Sequence, residues 1–265
     1  MSPEAAEFPS ARKYWESAAS DYGRLIRITT EDFHYGPLVP GDSILKLLPV
    51  NLNGMKCLEL GCGAAQNSVY LAKQAASCTA IDIANAQIER ASELARAENV
   101  NIRLIAMPME DISRERLGNF DLIHSSYAIS FTPSPAKLVK LCAGMLNPGG
   151  TLLFSTGHPL FSGEWLELEN EFGVFLKDYF NPVPDSRFAK DGSETVRSVY
   201  YPMGETASWI YEAGLLIERL LEPLPLPVSQ ANTDFPYSSK GWLSLHPKLS
   251  KVPVVAIFKC VKSMI

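Results

Sequence analysis

Between Met55 and Thr156, short apolar runs alternate with amphipathic stretches of helical period, and few folds accommodate that order. "MKCLEL", "CTAID", "IRLIA", "FDLIHSS" and "TLLFST" read as buried strands. Between them, "AAQNSVYLAKQAA", "ANAQIERASELARAEN" and "SPAKLVKLCAGML" read as helices; the second keeps Ile88, Ala91 and Ala95 on one face. The third opens on a serine and a first-turn proline and is stopped by "NPGG". Strands connected through helices must lie parallel, with helices covering both faces of the sheet. Ligands of such sheets bind beyond the carboxyl ends of the strands, where the strand order reverses. That rule places Glu59 to Ala65, Asp82, Met109 to Asp111 and Ser125 to Tyr127 along one crevice.

Outside the alternation the pattern is looser. "SARKYWESAASDY" and "DSILKLLP" read as short helices, the first capped by Ser10 and the second stopped at Pro49. From His158 to Met203 the chain is rich in aromatics without clear periodicity. "GETASWIYEAG" then reads as a helix closed by Gly214, and "LLIERLLEPL" and "VPVVAIFKCV" as the last two strands. The segments expected are N-terminal helices and a cap loop (1–50), a nucleotide-binding core (51–157), an aromatic insert (158–203) and the remainder of the same α/β domain (204–265). The insert has two readings, a lid over an apolar pocket or a satellite core packed on the sheet.

At 265 residues with a net charge of −5, the chain has no long-range attraction for nucleic acid or an anionic membrane. Five scattered cysteines form no CxxC pair, so no zinc site or disulfide framework is expected. No acid or histidine cluster suggests a catalytic metal. No apolar stretch is long enough to span a bilayer and the N-terminus has no signal-peptide core, so a cytoplasmic protein is expected.

The chemistry concentrates in "CLELGCGAAQN", residues 57–67. Glycines between strand and helix let a ligand approach the backbone. Alone, this signal serves a nicotinamide, a flavin, S-adenosylmethionine or a plain tight turn. Glu59, two residues before Gly61, would repel a pyrophosphate and attract an ammonium. Asp82, about twenty residues on, suits a ribose diol, although it could equally cap the following helix.

Taken together, "LELGCGAAQN…TAIDIANAQIERA…MEDI…FDLIHSSYAI…LNPGGTLLFSTGHP" resembles the class I S-adenosylmethionine-dependent methyltransferases of the small-molecule type. The resemblance covers roughly residues 33–157. It implies a Rossmann-like, seven-stranded, mostly parallel sheet with the last strand antiparallel. It further implies S-adenosylmethionine as cofactor, with S-adenosylhomocysteine as product. Carried over by position, Glu59, Gly61 and Gly63 would hold the methionine part, Asp82 the ribose and Ile83 the adenine, with Cys62 and Gln87 also at the cofactor. Met109 and Glu110 fall where the adenine edge is read, and Ser125 lines the cofactor. Two positions depart from the pattern. Ala65 replaces a third glycine, and Pro108 stands where many relatives have an aspartate.

The catalytic candidates are His158, His34 and Tyr201, with Tyr35, Tyr127, Phe161 and Trp165 as acceptor-binding residues. Histidine titrates near neutrality and could take a proton from an acceptor hydroxyl or ammonium. Each histidine could instead simply bond loop backbone; His124 reads as structural, and His246, in a polar loop, has no role. The resemblance further implies that a nucleobase or amide nitrogen acceptor would go with an Asn/Asp-Pro-Pro-aromatic sequence after "FDLIHSS"; none follows it, which counts against those acceptors. The expected activity is methyl transfer to oxygen or nitrogen of a small, partly apolar metabolite, by a monomer or homodimer. Carbon methylation, a non-catalytic cofactor-binding protein, a nicotinamide oxidoreductase and, disfavoured by charge and the missing motif, a macromolecule methyltransferase are the rival readings.

Overall fold

The computed structural model describes residues 11–162, 164–169, 171–188, 192–228 and 235–264. The alternation of the central segment becomes one seven-stranded sheet. Its strands are β1 (Lys56–Leu60), β2 (Ser77–Asp82), β3 (Ile102–Ala106), β4 (Phe120–Ser126), β5 (Leu146–Gly157), β6 (Leu215–Leu221) and β7 (Val255–Lys262). They lie in the order β3-β2-β1-β4-β5-β7-β6. All neighbours pair in parallel except β7, which runs antiparallel to both β5 and β6. The order reverses between β1 and β4, so the crevice opens above the ends of those two strands.

Eight helices accompany the sheet among the described residues: α1 (Ala11–Leu25), α2 (Asp42–Leu45), α3 (Gln66–Lys73), α4 (Asn85–Ala97), α5 (Arg114–Leu117), α6 (Pro135–Met145), α7 (Met203–Glu212) and α8 (Lys240–Leu249). Neighbouring residues of each central strand belong to opposite cores, as the two-residue period of a strand demands. Cys57, Leu122, Leu153 and Ile257 join α3, α4 and the cap segment on one face. Leu58, Ile123, Phe154 and Phe258 join α6 and α7 on the other. Both faces of these central strands are dry, which is why they read as continuous apolar runs.

The structure extends the sequence reading in three places. Strand β5 begins at Leu146, so "NPGG" is not a break between helix and strand; Leu146 already pairs with Phe120. The insert contains two small antiparallel ladders, Glu164–Leu168 with Glu171–Phe175 and Asp185–Phe188 with Glu194–Ser198. The first ladder and the strand Asp185–Phe188 lie largely exposed, and Glu194–Ser198 buries only Val196 and Ser198 on one face, too little to impose an apolar period. The segment expected as a polar loop around His246 is helix α8, preceded by a strand, Tyr237–Ser239, that pairs with Ile26–Ile28. Ser10, the expected cap of α1, lies outside the described residues.

Candidate active site

The turn after β1 is where the chain departs most from regular geometry. Gly61, Gly63 and Ala65 all have positive φ, at 64°, 54° and 60°. A side chain at Gly61 would also meet Ala128 Cβ at 2.6 Å, so this position excludes a Cβ twice over. Ala65 accepts the left-handed conformation without glycine's freedom and sits fully buried at the start of α3.

Two carboxylates border this turn, and both are nearly inaccessible: Glu59 is 3% and Asp82 8% exposed. Ser68, in the first turn of α3, donates its backbone N–H and its hydroxyl to Glu59 Oε2, at 3.0 and 2.6 Å. Burial pushes the Glu59 carboxyl up to about 7, the charge of Asp82 adds to that, and the Ser68 hydrogen bonds pull against it. Asp82 Oδ2 accepts from Gly63 N at 2.9 Å and Oδ1 from Ala84 N at 3.0 Å. Burial likewise raises the Asp82 carboxyl. A carboxylate oxygen that accepts one such bond has capacity for another. Two buried, mutually repelling acids beside an open cavity make a site whose electrostatics a cationic ligand would relieve.

The cavity has a volume of about 530 Å³. Every cofactor residue named from the sequence lines it except Ser125, whose hydroxyl donates to Leu60 O while its neighbour Ser126 faces the cavity. Ile83, Met109 and Glu110 meet there with the buried Met107. Of the acceptor-side candidates, His34, Tyr127 and Phe161 line the cavity.

The others are placed elsewhere, each with a partner that accounts for it. Tyr35 is buried and donates its hydroxyl to Asp42 Oδ1 at 2.6 Å. His158 has both ring nitrogens committed: Nδ1 accepts from Leu160 N, which leaves the proton on Nε2 for Glu222 Oε1 at 2.7 Å. Tyr201 packs edge-on against Trp209 of α7, and Trp165 lies beneath Lys248. The neighbour of Tyr201, Tyr200, lines the cavity instead.

Much of the aromatic wall went unread in the sequence. Tyr14 and Trp15 come from α1, Phe131 from the turn after β4, Tyr237 and Trp242 from the region of α8. Trp15 meets Phe131 edge-on at 5.4 Å between ring centroids, and Phe161 lies 5.8 Å from Trp242. Arg187, from the second insert ladder, donates to the Tyr14 hydroxyl and lies over its ring. Scattered along the chain, these residues share no periodicity that a sequence could display.

His34 is held by its backbone. Its N–H donates to Asn67 Oδ1 at 2.9 Å, and its carbonyl accepts from Asn67 Nδ2 at 3.0 Å and from Ser126 Oγ at 2.9 Å. Burial lowers the imidazole to about 3, so the ring is neutral throughout the physiological range. Its Nδ1 is buried with no hydrogen-bond partner among the described residues, an arrangement costly in a ligand-free site. His124 lies within a strand, fully buried, and is likewise kept neutral. No helix among the described residues is long and apolar enough to cross a membrane.

Comparison with known proteins bears on this geometry. The family described as a methyltransferase domain matches residues 58–154, the segment from β1 to β5. The ubiquinone biosynthesis O-methyltransferase of Xylella fastidiosa is 29% identical over 177 residues, 67% of this chain and 66% of that protein. Its counterpart in Acinetobacter baumannii (strain AYE) is 33% identical over 106 residues, 40% of this chain and 45% of that protein. The chain thus spans just under two thirds of one of these curated relatives and under half of the other. Among solved structures, an S-adenosylmethionine-dependent methyltransferase from Mesorhizobium loti aligns with a TM-score of 0.62 at 21% identity, over 83% of this chain and 96% of its own. The [4+2]-cyclase SpnF aligns with a TM-score of 0.60 at 14% identity, over 97% of each chain. At such identities the structures establish the fold.

Proposed function

We propose that this chain is a class I S-adenosylmethionine-dependent methyltransferase, as the match to a methyltransferase domain supports, and that it transfers a methyl group to oxygen or nitrogen of a small, partly apolar acceptor. The observation that carries the proposal is the pair of buried carboxylates, Glu59 and Asp82, flanking a turn that has no room for a side chain at Gly61. S-adenosylmethionine, when bound, supplies a methyl group already activated by the positive sulfur to which it is attached.

The residues of the chain then have distinct tasks. Glu59, ionised, attracts the ammonium of the methionine moiety, and Asp82 accepts from the ribose hydroxyls with the capacity its backbone bonds leave. Ile83 and Met109 flank the base, and Glu110 takes the place of the family's missing aspartate at its edge. Aromatic side chains around the remaining space exclude water and hold an apolar acceptor in line with the donor. His34 orients the acceptor: a neutral imidazole of depressed basicity is a poor proton store but a good hydrogen-bond partner for a hydroxyl. The insert, through Phe161 and Arg187, closes the wall as a lid. The match to ubiquinone biosynthesis O-methyltransferases supports oxygen as the receiving atom.

The test is calorimetric titration with S-adenosylmethionine, S-adenosylhomocysteine and NADH. Micromolar binding of both sulfur nucleotides, with NADH silent, is the expected outcome and opens a screen of small hydroxylated acceptors. Binding of NADH alone would overturn the reading of Glu59. Tight binding with no turnover across the screen would leave a cofactor-binding protein without the enzymatic activity.

A further inference from the structure

Strand β6 forms one free edge of the sheet, and its composition is unlike that of a protected edge. Among the described residues only β7 pairs with it, so its outer row of backbone groups has no partner strand. Leu216 through Leu220 are all exposed, with Leu216 at 66%, Ile217 at 38% and Leu220 at 46%. Two further large apolar side chains flank the strand, Tyr211 at 79% and Leu224 at 74%. The opposite edge, β3, contributes no large exposed hydrophobic residue. No proline interrupts residues 215–222. Of the devices that guard natural edges, β6 carries a bulge and two charges of opposite sign, but no proline, and its apolar side chains are not withdrawn from solvent.

The sequence of β6 and the residue after it, "LLIERLLE", sets apolar residues on either side of a central Glu-Arg pair. With a two-fold axis between Glu218 and Arg219, antiparallel pairing of two copies sets Glu218 opposite the partner's Arg219, and the converse. The same axis sets Ile217 opposite the partner's Leu220 and Leu216 opposite the partner's Leu221. Opposite charges meet twice at the centre and branched apolar residues meet on either side, as an isologous interface requires. Against β7, the register slips between Ile217 and Arg219, a bulge at Glu218 beside the axis. Both copies carry the same bulge, so both edges bring the same local twist to the junction. The bond of Glu218 Oε2 to Lys259 Nζ at 2.8 Å holds that carboxylate at the strand.

We infer that β6 is a homodimer interface, in which a second copy of this chain extends the sheet across a two-fold axis between Glu218 and Arg219. The experiment is sedimentation velocity across a wide range of protein concentration. Wild type is expected to sediment as a concentration-dependent dimer. Arg219→Glu opposes two pairs of like charges and should raise the dissociation constant about tenfold or more. The triple variant Glu218→Arg/Arg219→Glu/Lys259→Glu reverses all three charges together, keeps both complementarities and should return the constant to near the wild-type value. Leu216→Asp/Leu220→Asp should be monomeric. Unchanged binding of S-adenosylhomocysteine and an unchanged far-ultraviolet spectrum distinguish loss of the dimer from loss of the fold. A wild type that stays monomeric at every concentration overturns the inference, and so does a dimer indifferent to these substitutions.

Discussion

The two ends of the cavity are built on opposite plans. At the end proposed for the cofactor, the lining residues named above come from the ends of β1, β2 and β3 and the turns after them, within residues 59–110. At the acceptor end the wall is assembled from α1, the cap loop, the turn after β4, the insert and α8, spanning Tyr14 to Trp242. One end is charged and tied to backbone; the other is aromatic and tied to side chains. A shared cofactor demands fixed geometry, which strand ends provide. A variable acceptor demands shape, which any segment reaching the rim can supply.

The largest expected break of this contrast is Glu59→Gln. It removes the charge meant for the ammonium while keeping an oxygen for Ser68, and should weaken S-adenosylmethionine binding by on the order of 3 kcal/mol, about a hundredfold, by calorimetry. The same substitution carries a pH signature. The folded chain holds the Glu59 proton to about pH 7, whereas an unfolded glutamate releases it near its ordinary value of 4.5. Glu59 therefore costs the ligand-free protein stability as pH rises from 4.5 to 7. His34 and His124, kept neutral down to about 3, work in the other direction and cost stability as pH falls below 6.5. Thermal melts of wild type and Glu59→Gln at pH 5 and pH 7.5 isolate the carboxylate: the difference between the two proteins should shift in favour of the variant at the higher pH. An equal difference at both values would mean that the acid is already ionised when buried.

Asp82→Ala should cost about 1–3 kcal/mol in cofactor affinity, since it removes hydrogen bonds to an ionised group. It also strips the partner of Gly63 N, so part of the loss is expected as a lower melting temperature. Full affinity in this variant would reduce Asp82 to a cap for α4. The smallest effect belongs to the acceptor end. His34→Ala should leave cofactor affinity within about twofold and lower kcat about tenfold, some 1.4 kcal/mol of the barrier. A matching fall in cofactor affinity would show that the two ends are less separate than their construction implies.

The same division explains what the sequence could reveal. Glu59, Gly61, Gly63 and Asp82 were legible because strand ends in a parallel sheet face one crevice, and the period of the apolar runs locates those ends. His158 misled because a histidine after a strand suggests chemistry, while its partner, Glu222, is distant in sequence. Tyr201 missed by a single residue: no period spans that stretch to show that Tyr200 turns inward. Helix α8 was hidden by Ser238, Ser239, Gly241 and an internal Pro247, all of which read as loop. Trp15, Phe131 and Trp242 had no local signal, since only tertiary packing makes them neighbours of one space.

Asn67 bears on how such a cavity can be filled. One carboxamide, fully enclosed, clasps both the amide and the carbonyl of residue 34 and reaches the hydroxyl of Ser126 as well. The helix that follows the glycine turn is thereby buckled to the segment that brings His34 to the cavity wall. Raising the roof at residue 34 forfeits two bonds to Asn67 and one to Ser126 at once, and the strap that gives way belongs to the cofactor's own helix. On the proposed function, entry and exit at the aromatic end would be geared to the grip at the charged end, with a single side chain as the cog.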